Sequence, residues 1–159
     1  MIRHQTSALT AERFTAFGTL HHCPDIGRRD YFDAALATRR AGAWPSFSLV
    51  SNVPVTDDHL VIASLERHEH SSQTFVPMSA SRWLVVVAND LAGRPDPATV
   101  QAFVATANQA ITFHAGTWHL GLHVLDQPST HAIFMWRDGT AGDESFASLA
   151  PFAVQLPPP

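Results

Sequence analysis

The stretch LERHEHSSQTFVPM, residues 65–78, gathers Glu66, Arg67, His68, Glu69, His70 and Gln73 between apolar flanks. In an extended chain alternate side chains share a face, so His68 and His70 would both point one way. Gln73 stands at an odd offset from His68 and joins that face only if Ser71 and Ser72 form a bulge or a turn. A second histidine-bearing segment, FHAGTWH (113–119), supplies His114 and His119 around a turn expected at Gly116. Two neighbouring strands turning such residues inward would make a nitrogen and oxygen site for one divalent first-row metal ion, with His68, His70, Gln73 and His114 as ligands. Glutamine is a weak ligand, so binding there would be loose. The competing reading is a solvated polar turn, since a pair of histidines two apart is common in any sequence.

The remaining polar residues have two readings each. Glu66 is either a general base, or a partner orienting an imidazole, or a surface carboxylate. Arg67, Arg82 and Arg137 are candidate anchors for a substrate carboxylate or ordinary strand-end charges. Trp118 lies between two candidate histidines and is either a substrate platform or core; Trp83 and Trp136 read as core.

The chain contains no lysine, and all ten basic residues are arginine. That excludes Schiff-base chemistry and the usual phosphate-loop lysine. Without GxSxG, a phosphate-binding glycine loop or CxxC, serine hydrolase, nucleotide-binding and zinc-finger readings fall away. A net charge of -4 gives no general attraction for nucleic acid or anionic membrane. No apolar run is long enough to span a bilayer, the first residues lack a secretory pattern, and Cys23 is alone. A cytoplasmic location is the expectation.

The elements that must position these residues are mostly strands. Segments 46–51, 59–66, 73–78, 82–88, 110–114, 119–126 and 131–137 are short, rich in β-branched and aromatic residues, and separated by turn formers. Two helices are expected: residues 10–18, capped by Thr10 and stopped by Gly18, and PDPATVQAFVATANQ, where Val100, Phe103, Val104 and Ala107 would share a face. Residues 19–45 read as a long irregular loop, and 152–159 as an apolar, proline-ended tail. With 159 residues, 45% of them apolar, the pattern implies one mainly β domain, an antiparallel barrel or jelly roll whose mouth would hold a small molecule.

Taken in order, LERHEHSSQTFVPM, WLVVVA, PDPATVQAF and TFHAGTWH resemble the ureidoglycolate lyase family, from roughly residue 8 to residue 140. The resemblance implies a cupin-like β-barrel, a homodimer, and an enzyme of purine (allantoin) degradation that splits ureidoglycolate into glyoxylate and urea. Glu66, Arg67, His68, Gln73, His114, Gly116, Trp118 and His119 stand at its motif positions. That reaction needs a group to take the hydroxyl proton, for which His68 and His114, directly or through a metal, are the candidates, and an acid for the departing nitrogen, for which His119 or Glu66 would serve. Arg67 or Arg137, with Gln73 and Trp118, would bind the substrate. The chain departs from the family pattern at Phe113, Leu120, Gly121 and Trp136. Lost polar groups change substrate choice, so the alternatives are a cupin acting on another small ureido or hydroxy acid, or one that binds a small acid without turning it over.

Overall fold

The computed structural model describes residues 1–79 and 81–158. Its strands are β1 (Arg3–Ala8), β2 (Gly18–His22), β3 (Trp44–Asn52), β4 (His59–Arg67), β5 (Gln73–Pro77), β6 (Trp83–Ala88), β7 (Asp90–Leu91), β8 (Arg94–Pro95), β9 (Gln101–Ala105), β10 (Gln109–Phe113), β11 (Trp118–His119), β12 (His123–Val124), β13 (Ser129–Arg137) and β14 (Ser145–Gln155). The larger sheet runs β11-β4-β14-β1-β9-β6-β12, and β11 also pairs with β6, which closes β4, β14, β1, β9, β6 and β11 into a ring. Within it β1 is parallel to both neighbours. The smaller sheet runs β2-β10-β5-β13-β3, and β7–β8 is a hairpin. The mainly β barrel expected from the strand pattern, cupin-like as the resemblance implies, is what the chain forms.

Burial on both faces of β6 explains its unbroken apolar run WLVVVA. Val85 and Val87 join Phe75, Ile111 and Phe113 of the smaller sheet in one core between the sheets. Leu84, Val86 and Ala88 join Leu65, Trp118, Phe152 and Val154 in a second core inside the ring. Each such side chain contributes roughly 1.5–3 kcal/mol by leaving water.

Both expected helices shrink. The first is a single turn, α1 (Ala11–Phe14), with the Thr10 hydroxyl accepting from the Arg13 amide. It stops early because Phe14 plugs the core and the chain must enter β2 at Gly18, where an added Cβ would collide with the Thr112 carbonyl oxygen and the Phe14 ring. The second is not a helix. Asp96 and Pro97 start a 3-10 turn over Pro97–Thr99, and residues 101–105 are strand β9. Ala102 faces one core and Phe103 and Ala105 the other, so apolar residues on both sides of a strand imitate a helical stripe. The long loop is confined to residues 23–43, and the expected tail is strand as far as Gln155.

Candidate active site

The mouth between the two sheets holds a cavity of about 540 Å³, lined by Glu66, His68, Gln73, Arg137 and Asp143 among others. Each wall follows from strand register. Glu66 on β4 is opposite His119 on β11 and Phe146 on β14. Across the gap, Gln73 on β5 shares a rung with Met135 on β13, and Met135 with Ser46 on β3. His68 sits just beyond the end of β4, where the chain leaves the ring for the smaller sheet.

Glu66, His68 and His119 offer three ligand atoms that all lie within 4.8 Å of one another, a possible metal-binding triad. The imidazoles are aimed by their Nδ1–H groups, which donate to the carbonyl of Asp143 (2.8 Å, from His68) and the carbonyl of Thr117 (2.9 Å, from His119). For His68 that fixes the tautomer and leaves Nε2 a bare acceptor. His68 Nε2 and the amide oxygen of Gln73 are buried and have no hydrogen-bond partner. Buried polar atoms seldom go unpaired, so these orphans mark the place where a ligand belongs. The His119 ring is stacked on Phe113 with centroids 4.1 Å apart, and its Nε2 is 3.3 Å from Glu66 Oε1.

The charges are unevenly poised. Burial works to raise the Glu66 carboxyl, but the contact with His119 outweighs it, and the group ends below the ordinary carboxylate value. Burial, followed by repulsion from His119, holds the His68 imidazole below its ordinary value. The cavity thus presents an ionised carboxylate beside a neutral imidazole, a set able to take and return a proton or to hold a divalent ion.

Of the residues singled out in the sequence, the structure brings Glu66, His68, Gln73, His119 and Arg137 to this mouth. His70 and His114 are not among them. His70 lies in a turn rather than a strand, with the Ser71 amide reaching back to the His68 carbonyl, so the expected alternation does not operate; the residue borders a small crevice with Arg40 and Trp136. His114 is exposed, its Nε2 3.2 Å from the Thr15 carbonyl. Arg67 and Trp118 are one residue from Glu66 and His119 and therefore point to the opposite side. There the Arg67 guanidinium covers the Trp118 ring at 4.5 Å, and both bond to Asp90 Oδ1. Arg82 is an ion pair with Asp126 at a strand end.

Sequence reasoning missed Asp143, whose backbone aims His68, and Ser46 and Ser48, which line the cavity. The serines carried a signal, since they alternate with Phe47 and Leu49 along β3. Asp143 carried none, because its role is played by a carbonyl that every residue has.

A family model described as ureidoglycolate lyase matches residues 1–151. The ureidoglycolate lyase of Schizosaccharomyces pombe is 36% identical over 124 residues, covering 73% of this chain and 65% of that protein. This chain thus spans just under two thirds of that relative's length. The ureidoglycolate lyase of Mesorhizobium japonicum is 30% identical over 165 residues, covering 99% of this chain and all of that one (100%). Among solved structures, a dTDP sugar isomerase from Desulfovibrio desulfuricans shares the fold, with a TM-score of 0.51 at 14% identity over 82% of each chain.

Proposed function

Because the chain belongs to the ureidoglycolate lyase family, we propose that it is a carbon–nitrogen lyase that splits ureidoglycolate into glyoxylate and urea. The observation that carries the reading is the convergence of Glu66, His68 and His119 in one cavity, with His68 Nε2 and the Gln73 amide oxygen buried there and unpartnered.

The reaction is balanced in protons. The hydroxyl proton leaves as the aldehyde forms, the C–N bond breaks with its electron pair going to nitrogen, and that nitrogen needs one proton to depart as urea. A single carboxylate that takes the proton and hands it on therefore suffices. Glu66 is that group: ionised, with Oε1 on His119 and its second oxygen left for the substrate. His119 steadies the charge change on Glu66. Arg137 holds the substrate carboxylate, being the one arginine among the described residues lining the cavity. The Gln73 amide oxygen accepts from the ureido N–H groups.

The same lone pairs fit a divalent cation, which Glu66, His68 and His119 would hold. Once bound, it would stabilise negative charge developing on the substrate oxygens.

As in the family's purine-degrading context, the protein works on a small acid in the cytoplasm as a homodimer. Exposed Phe47 and Leu49 on the edge strand β3 supply an apolar surface for the second copy. No helix among the described residues is long and apolar enough to cross a membrane.

The test is incubation of purified protein with ureidoglycolate, with and without chelator. Equal amounts of urea and glyoxylate support the reading. Release of ammonia would mean amide hydrolysis and overturn it, as would binding without turnover in both arms.

A further inference from the structure

Asp143 stands behind the site and touches two of its members at once. Its carbonyl accepts the His68 Nδ1–H, while its carboxylate lies 3.4 Å from Arg137 Nε through Oδ2. The carboxylate is itself fixed: Oδ1 accepts from the Asp138 amide and Oδ2 from the Gly139 amide, both at 2.9 Å. Arg40 completes the arrangement from a distant part of the chain. Its Nη1 is 3.0 Å from Asp143 Oδ1 and 2.6 Å from Asp138 Oδ1, and its Nη2 donates to the Gly142 carbonyl at 2.9 Å.

Two guanidinium groups therefore compete for one carboxylate, and they do so unequally. The Arg40 side chain is 20% exposed and bonded through both terminal nitrogens; that of Arg137 is 50% exposed and, among the described residues, held only through Nε. A guanidinium gripped at Nε keeps its outer fork for another carboxylate. Building on the lyase reading of this cavity, we propose that Arg40 is a positioning residue: by satisfying Asp143 it leaves Arg137 free to grip the substrate carboxylate, and through Asp143 it sets the spacing between that grip and His68. Without Arg40, Asp143 and Asp138 would draw Arg137 inward, and the carboxylate anchor would be spent on the protein itself.

The experiment measures binding of glyoxylate and of urea by calorimetry, which needs no turnover and so separates this proposal from the assignment of the reaction. In Arg40→Gln, glyoxylate binding should weaken about 10- to 100-fold, the usual effect of removing a partner that orients a ligand-holding group. Urea carries no carboxylate, and its binding should change less than about threefold. With ureidoglycolate, KM should rise more than kcat falls. Asp138→Asn removes a competing carboxylate but leaves Asp143 intact, and should keep glyoxylate binding at the wild-type level or tighten it. Equal weakening of both ligands in Arg40→Gln would show loss of the fold around the site and overturn the proposal, as would unchanged glyoxylate binding. Should Arg40→Gln not fold, Asp138→Asn decides alone: weakened glyoxylate binding there contradicts the competition on which the proposal rests.

Discussion

Glu66 and His119 face each other on one rung of the ring, with Oε1 and Nε2 3.3 Å apart. The rung belongs to the shortest kind of strand in the barrel, the two-residue β11, which is also the piece that closes β4 onto β6. Barrel closure and the approach of Glu66 to His119 are the same event.

If Glu66 moves the proton, Glu66→Gln keeps size and hydrogen bonding but removes basicity. Its kcat for ureidoglycolate should fall by about 10²–10⁴ with the melting temperature little changed. Activity within a few-fold of wild type would remove Glu66 from the mechanism.

The metal triad makes a separate prediction. Protein stripped with chelator should take up about one equivalent of a divalent first-row ion in calorimetry and melt at a higher temperature when loaded. His68→Ala and His119→Ala should each abolish that uptake. Undiminished uptake in both variants would place the ion elsewhere.

Arg67 and Arg137 are two of the three arginines whose sequence context suggested substrate contact, and the structure separates them. Arg67→Gln should lose the stacking on Trp118 and the ion pair with Asp90, costing roughly 1–2 kcal/mol in denaturant melts with KM unchanged. Arg137→Gln should raise KM about tenfold or more and leave stability alone. The opposite pattern would return Arg67 to the site.

His131 is fully buried against Trp83, with neither ring nitrogen hydrogen-bonded. Burial lowers its pKa from 6.5 to about 4. The unfolded chain therefore takes up this proton first as the pH falls. The associated stability is fully present above about pH 6.5 and is lost progressively towards pH 4, amounting to roughly 3 kcal/mol. His131→Phe should flatten the urea-unfolding free energy between pH 7 and 4 relative to wild type. Parallel pH curves for the two proteins would refute the assignment.

The strands around the site were legible because β-branched runs between turn formers have few other uses, and the observed β4, β5, β6, β10 and β13 lie within a few residues of their expected bounds. Three kinds of feature were not. Strand β9 has apolar residues on both faces and mimics a helix. Strands β1, β2 and β14 pair with distant segments, so local pattern says little about them. In the site, Glu66, His68 and His119 were visible as residue types. Whether His70 or His119 stood beside His68 depended on a turn at residues 69–70 and on the pairing of β11 with β4, neither written in the spacing. Arg40 and Asp143 act through a backbone carbonyl and a contact between residues 103 positions apart, beyond the reach of any motif.

Strand β1 lies between β9 and β14, with Arg3 level with Ala153. During synthesis the early segment must wait, unpaired on one side, until β14 has emerged. At about 5–20 residues per second, that leaves β1 with a bare hydrogen-bonding edge for several seconds after β9 is made. Prematurely terminated chains lacking residues 145–155 should accordingly collect in insoluble material, and slower translation late in the message should depend on chaperones to keep the nascent barrel in solution.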